Sequence, residues 1–247
     1  MKAIIPAAGY GTRMYPLTRD VPKALLDIGG RAVIEHIIYR IERVPDIDEI
    51  IIVSNDKFYS KFLNWASQFE CSLPVRILND RTQSNEERLG TVGDIFFALN
   101  QLGYFGDLLV FNSDNFTSFD LKKMWEFFRE KRASVISIYD VGSLEIAKKM
   151  GAVRLDTDGR VAYFKEKDID VESSICSVGV YMFPAGTYGF FKKFVEEFGG
   201  DKSGAFIEWL YDKQEVYGFE FVKNDYWFDI GDLESYKKAR ELYDELV

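Results

Sequence analysis

The first half of the chain alternates short apolar runs with amphipathic stretches, a pattern typical of parallel strands covered by helices. The apolar runs predict strands at residues 2–6, 49–54, 75–78 and 107–112. Apolar residues at helical spacing predict helices at about 32–43, 57–69, 91–102 and 120–132. Residues 1–132 are therefore predicted to form a doubly wound α/β unit.

The pattern changes after Ala133. Further strands are predicted at 134–141, 152–155, 161–165 and 175–183, some joined by hairpin-like turns such as Asp156-Thr157-Asp158-Gly159. Helices are predicted at 187–198, 204–213 and 233–246. Because no repeat or linker interrupts the chain, we expect one domain over 1–247: α/β, with a doubly wound, mostly parallel (Rossmann-like) mixed sheet that gains antiparallel strands in its second half.

Charge and composition narrow the function classes. The 31 Lys and Arg residues against 40 Asp and Glu give a net charge of −9, which disfavours nucleic acid and anionic membranes as partners. No run approaches the ~20 apolar residues of a membrane span, and the N-terminus lacks signal-peptide features, so a cytoplasmic protein is expected. Cys71 and Cys176 have no partner at metal-ligand spacing and are expected to be reduced.

The chain has a single histidine, His36, which excludes nucleophilic triads that need imidazole. Isoleucines at helical spacing around it indicate a position on a helix surface rather than a catalytic one. Any chemistry must therefore use carboxylates, arginine, lysine and a hard cation.

Small residues and two glycines, Gly9 and Gly11, follow the first strand. Backbone N–H groups in such a loop can approach phosphate oxygens, although the glycine pair alone also fits an ordinary turn. Residues 1–31 carry five basic and two acidic side chains, so this stretch is locally positive in an acidic protein. Met14 stands where a dinucleotide fingerprint needs its third glycine, and no P-loop sequence is present.

The longer pattern Gly9-x-Gly11-Thr12-Arg13-x-x-Pro16-x-Thr18-x-x-x-Pro22-Lys23 resembles the signature of the sugar-1-phosphate nucleotidylyltransferases. That family includes glucose-1-phosphate thymidylyltransferases and mannose-1-phosphate guanylyltransferases. The resemblance continues through Asp114, Gly151, Glu166-Lys167, Gly179 and Trp227-Phe228-Asp229-Ile230-Gly231.

The resemblance implies that a sugar 1-phosphate attacks the α-phosphorus of a nucleoside triphosphate in line and releases pyrophosphate. Positioning and charge neutralisation suffice for such a reaction, with Mg²⁺ as cofactor. By resemblance, Arg13 neutralises the leaving phosphates and Lys23 bridges the reacting ones. Asp114 and Asp229 are implied to hold Mg²⁺.

The resemblance also assigns the two substrates to different residues. The nucleotide is implied to contact Ala8, Gly9, Gly11, Thr12, Gln83 and Gly90, with Gln83 presenting its amide to the base. The sugar phosphate is implied to contact Gly151, Glu166, Lys167 and Gly179. Residues 1–132 would thus bind the nucleotide and 133–247 the sugar phosphate.

The sequence departs from the family pattern at three places. Asn112-Ser113 precedes the first aspartate where glycine is common, Asp168 replaces a proline, and Ser177-Val178 precedes Gly179 instead of Asn-Ala. The segment 79–91 is also longer and more charged than expected of a thymidylyltransferase.

Other functions stay open at this point. A cytidylyltransferase acting on phosphocholine would keep the first loop and both aspartates but need an aromatic, cation-holding pocket. A glycosyltransferase is a weaker alternative, because Asp114-Asn115-Phe116 is not an Asp-x-Asp motif. A catalytically silent nucleotide-sensing module is disfavoured by the presence of Arg13, Lys23 and both aspartates. The sugar, the base and any homo-oligomer are not decided by the sequence.

Overall fold

A computed structural model describes residues 1–222 and 225–246. The strands are β1 (Lys2–Pro6), β2 (Asp27–Ile28), β3 (Arg31–Ala32), β4 (Glu49–Ser54), β5 (Val75–Asn79), β6 (Leu108–Phe111), β7 (Asn115–Thr117), β8 (Ser134–Asp140), β9 (Gly151–Leu155), β10 (Val161–Glu166), β11 (Ile175–Phe183), β12 (Val216–Glu220) and β13 (Trp227–Asp229). The α-helices are α1 (Val33–Ile41), α2 (Asp56–Ala66), α3 (Gly90–Leu102), α4 (Leu121–Lys131), α5 (Leu144–Ala147), α6 (Tyr188–Phe198), α7 (Ser203–Leu210) and α8 (Leu233–Leu246).

The main sheet is mixed and has nine strands within the described residues. Its path runs β10-β9-β11-β6-β1-β4-β5, and β8 branches from β11 and pairs with β12. The pairs β6-β1, β1-β4 and β4-β5 are parallel, whereas β11 is antiparallel to β6, β8 and β9. The doubly wound first half and the antiparallel second half are both confirmed.

Helices cover both faces of this sheet, because successive strand residues point to opposite sides. In β1, Ala3 and Ile5 join one core with α1, α2, α4 and α8, while Ile4 joins the other with α3, α6 and α7. The result is a three-layer α/β/α arrangement, in which the loops at the carboxyl ends of β1 and β6 lie at one edge of the sheet.

Two features of the second half were not expected from the sequence. β12 pairs parallel with β8 at the sheet margin. A small separate sheet joins β7 to β13 with Asn115 opposite Asp229, across more than a hundred residues of sequence. This second pairing brings the segment around Asp229 to the end of β6.

His36 differs from the expectation of a helix-surface residue. Its ring is partly buried, with Nε2 2.9 Å from the Ile28 carbonyl oxygen and an edge-on contact to Phe116 at 5.1 Å between ring centroids. Burial lowers the pKa of this imidazole. Cys71 and Cys176 are both free thiols. Within the described residues, no helix has the length and apolar character of a membrane span.

Candidate active site

The loop after β1 is shaped by its two glycines. Gly11 has φ 62°, a left-handed conformation, and its carbonyl oxygen accepts a hydrogen bond from Thr18 Oγ1 at 2.6 Å. Gly9 has no atom within 4 Å of the position a Cβ would take, so its backbone faces open space. The Asn55 side chain fixes the start of the loop by donating from Nδ2 to the Ala8 carbonyl at 2.8 Å.

The predicted lysine and the first predicted aspartate are in direct contact. Lys23 Nζ lies 2.8 Å from Asp114 Oδ2. Asp114 occupies the turn between β6 and β7, and its carbonyl oxygen accepts the Ile230 N–H at 2.7 Å. Because Asp229 precedes Ile230 at the end of β13, the same small sheet that holds Asp114 also holds Asp229.

Asp229 titrates abnormally. Its side chain is open to the cleft but surrounded by protein, and the resulting loss of hydration, together with the charge of Asp114, raises its pKa to about 6. Lys23 and Arg13 act in the opposite direction. Among the described residues no cluster of three or more His, Cys, Asp or Glu side chains forms a metal-ligand group. The chain itself therefore contributes a pair of carboxylates beside two cations.

A cavity of about 520 Å³ lies over the first loop. It is lined by seven of the residues predicted for the nucleotide and catalysis: Ala8, Gly9, Gly11, Thr12, Arg13, Lys23 and Gly90. Asp114, a predicted metal ligand, lines it as well. Gln83 is exposed and is not among the lining residues, and its own N–H donates a hydrogen bond to Glu87 at 3.0 Å. The contact of the Gln83 amide with the base stays a prediction.

A second cavity, of about 210 Å³, adjoins the first. Its lining includes all four residues predicted for the sugar phosphate, Gly151, Glu166, Lys167 and Gly179, and both aspartates. Six residues line both cavities: Thr91, Asn112, Asp114, Lys167, Asp201 and Lys202. The two cavities thus meet between the carboxyl end of β6 and the loop that precedes α7.

Gly179 and Glu166 are fixed by close packing at the second cavity. Gly179 has φ +78°, and a Cβ there would lie 2.8 Å from Asn112 Nδ2. Glu166 is half-buried, and its burial raises the pKa of the carboxyl group. A Cβ on Gly204 would overlap Glu166 Oε2, so only glycine lets the start of α7 approach this carboxylate.

The loop between α6 and α7 was missed by the sequence analysis. Its Gly200 carbonyl accepts the N–H groups of Val92 at 2.8 Å and Gly93 at 3.1 Å, which caps the start of α3. Asp201 and Lys202, next in the chain, line both cavities. The tandem glycines at 199–200 were the available signal, but nothing local connects them to α3.

Comparisons with known proteins identify the family of this chain. A profile of the family described as nucleotidyl transferase matches residues 2–245. The probable mannose-1-phosphate guanyltransferase of Schizosaccharomyces pombe is 30% identical over 199 residues, which is 78% of this chain and 47% of that protein. Mannose-1-phosphate guanylyltransferase 1 of Arabidopsis thaliana is 33% identical over 188 residues, 74% of this chain and 49% of that protein.

The chain spans about half the length of these curated relatives. A solved structure of UDP-glucose pyrophosphorylase complexed with UDP-glucose has a TM-score of 0.82 at 20% identity, covering 100% of this chain and 99% of that one. At that identity the likeness concerns the fold. The family profile matches nearly the whole chain, and the chain therefore belongs to the nucleotidyl transferase family.

Proposed function

We propose that this chain joins a nucleoside triphosphate to a sugar 1-phosphate, giving a nucleoside-diphosphate sugar and pyrophosphate. The observation that supports this best is the junction of the two cavities, where Asp114, Lys167 and Lys202 line both. Two separate substrates bound in such cavities would meet at their phosphates, among residues that carry charge.

The reaction needs one bond to form and one to break. An oxygen of the sugar phosphate bonds to the α-phosphorus, and the bond from that phosphorus to the bridging oxygen of the β-phosphate breaks. Arg13 and Lys23 neutralise the triphosphate from the first loop, and Lys167 holds the attacking phosphate. The nucleotide is held mainly by residues 1–132 and the sugar phosphate mainly by 133–247, although Lys167, Asp201 and Lys202 reach the nucleotide cavity.

Asp114 and Asp229 fit a divalent cation. Burial and the charge of Asp114 raise the pKa of Asp229 to about 6, and a cation beside the two carboxylates would offset that repulsion. Mg²⁺ is commonly held by one or two carboxylates together with substrate phosphates and water, so this pair is a sufficient protein contribution. When bound, the cation would offset negative charge on the phosphates.

The phosphocholine alternative receives no support from the second cavity. Of the aromatic residues considered for it, Tyr181 and Trp227 line the cavity, but Tyr163 and Phe164 do not. Charged side chains outnumber these two rings, since the lining also includes Lys149, Lys167, Lys202, Asp114, Glu166, Asp201 and Asp229. The cavity is therefore not the aromatic site that the phosphocholine alternative needs.

The test is a matrix of the common nucleoside triphosphates against several sugar 1-phosphates and phosphocholine, with pyrophosphate release measured. We expect release with one or a few sugar 1-phosphate pairs and none with phosphocholine. Arg13→Ala should reduce turnover on the best pair by about 10²-fold. Arg19→Ala is the matched control, because Arg19 is exposed in the same segment and lines neither cavity. Equal effects of the two variants, or no release from any pair, would contradict the proposal.

A further inference from the structure

Asp94 is a buried acid that the chemistry described so far does not use. It lies in the second turn of α3, is only 4% exposed, and lines the nucleotide cavity. Its Oδ1 atom is enclosed without a hydrogen-bond partner. Native proteins satisfy most buried polar atoms, so an orphaned carboxyl oxygen beside a binding cavity indicates a partner that arrives with the ligand.

No cation compensates this carboxyl group among the charges that act on it. Burial and the nearby Asp80 raise the pKa of Asp94 well above the usual value. Asp80 is itself 8% exposed, and its Oδ1 accepts hydrogen bonds from the Thr82 N–H at 2.7 Å and from Thr82 Oγ1 at 2.8 Å. This direction favours the protonated form of Asp94, which can donate one hydrogen bond and accept another.

Asp94 and Asp229 are influenced by different charges. Lys23 and Arg13 lower the pKa of Asp229, whereas the charge that acts on the pKa of Asp94 is that of Asp80. The lining of the same cavity includes small and aromatic residues, among them Ala7, Ala8 and Tyr10. Tyr10 donates from its hydroxyl to the Thr82 carbonyl at 2.8 Å, which ties this wall to the Asp80 loop. Asp94 offers a phosphate no positive charge, whereas a flat, partly apolar heterocycle with polar groups at its edge fits this lining.

We infer that Asp94 recognises the nucleobase by exchanging hydrogen bonds with the polar edge of the base, where an N–H donor lies next to an acceptor. This rests on the proposed function, in that the cavity binds a nucleoside triphosphate. It assigns base discrimination to a residue of α3 rather than to Gln83. A neutral carboxyl group matches such an edge, and a base without the matching groups leaves Asp94 unpaired and binds more weakly.

The test measures binding by calorimetry, without the sugar phosphate and without turnover. Each common nucleoside triphosphate and inorganic tripolyphosphate is titrated into wild type, Asp94→Val and Asp94→Ala. We expect both variants to lose about tenfold or more in affinity for the preferred triphosphate, while tripolyphosphate binding stays the same. Asp94→Asn retains a donor and an acceptor and should keep part of the preference. Asp158→Asn, which removes an exposed carboxylate outside both cavities, is the control and should keep the base preference.

Thermal unfolding separates recognition from structure. Removal of an unpartnered buried acid should raise the melting temperature of Asp94→Val while its base discrimination falls, and a purely structural role cannot produce that combination. Unchanged base preference in Asp94→Val and Asp94→Ala, or an equal loss of tripolyphosphate affinity, overturns the inference about Asp94 but not the proposed function. If the wild-type protein binds no nucleoside triphosphate, both the inference and the proposed function fail.

Discussion

Lys23 Nζ and Asp114 Oδ2 are 2.8 Å apart, and the ion pair joins residues that are 91 positions apart in sequence. The two side chains are 18% and 32% exposed, and both residues line the nucleotide cavity. A partly solvated pair of this kind contributes little to stability. The ion pair instead positions its two side chains, because it holds a lysine and a carboxylate where the two cavities meet.

Lys23→Met should lower kcat on the best substrate pair by about 10²-fold, because it removes a preorganised positive charge beside the reacting phosphates. The melting temperature should change little. Steady-state kinetics and thermal unfolding check both expectations. Lys238→Met is the control, since Lys238 forms a similar exposed pair with Glu234 at 2.7 Å outside both cavities. A large stability loss with unchanged kcat would show that Lys23 is structural.

Asp229→Asn should abolish most activity yet stabilise the metal-free protein at neutral pH. The folded-state pKa of about 6 exceeds the usual 3.8, so the folded state binds the proton more tightly than the unfolded state does. Wild type therefore loses stability as the pH rises from about 4 to 6, and the amide variant does not. Because Asp229 faces an open cavity, screening limits the gain above pH 6 to about 1 kcal/mol, or about 2–4 °C.

This difference should be measured by thermal unfolding in chelator from pH 4 to pH 8. Asp158→Asn, in the exposed β9–β10 turn, is the control and should follow wild type. Added Mg²⁺ should stabilise wild type more than Asp229→Asn, since a carboxylate ligand has been removed. Identical pH profiles, or equal responses to Mg²⁺, would remove Asp229 from the predicted metal site.

Long elements with a buried periodic face were predictable, whereas short pairings were not. β1, β4 and β11 have the predicted bounds, because short, mostly apolar runs rich in β-branched residues favour buried strands. The three-residue strands β7 and β13 have no local signal, since their stability comes from a partner far away in sequence.

The residues of the candidate site likewise fall into those that the sequence predicted and those that it missed. Residues within the first-loop motif were predictable because they are close together in sequence. Asp94 and Lys202 were missed because tertiary contacts bring them to the cavities. A signal did exist for Asp94, which is an acid between Val92 and Ile95 on the buried face of a predicted helix.

Lys167→Ala should raise KM for the sugar 1-phosphate by about tenfold or more. Triphosphate affinity should fall less, because this lysine, which follows β10, lines both cavities but is proposed to hold the attacking phosphate. Its backbone N–H donates to the Met150 carbonyl at 2.9 Å, so the fold around it does not depend on the side chain. Lys165→Ala is the matched control, since Lys165 pairs with Glu208 at 2.8 Å and lines neither cavity. Loss of triphosphate affinity alone would reverse the assignment of the two cavities.

Gly204→Ala tests how the second cavity is built. A Cβ at this position would overlap the Glu166 carboxylate, so Glu166 or the first turn of α7 must move. We expect KM for the sugar 1-phosphate to rise by about tenfold, since Glu166 lines the cavity that would hold the sugar. Triphosphate affinity measured by calorimetry should stay near the wild-type value.

Gly189→Ala is the matched control for this substitution. Gly189 lies in the first turn of α6, and no atom lies within 4 Å of the position its Cβ would take. Alanine there should stabilise the protein by up to about 1 kcal/mol through helix propensity, without any change in KM. If Gly204→Ala behaved in the same way, Glu166 would be free to move aside, and the close approach of α7 would not set the affinity for the sugar phosphate.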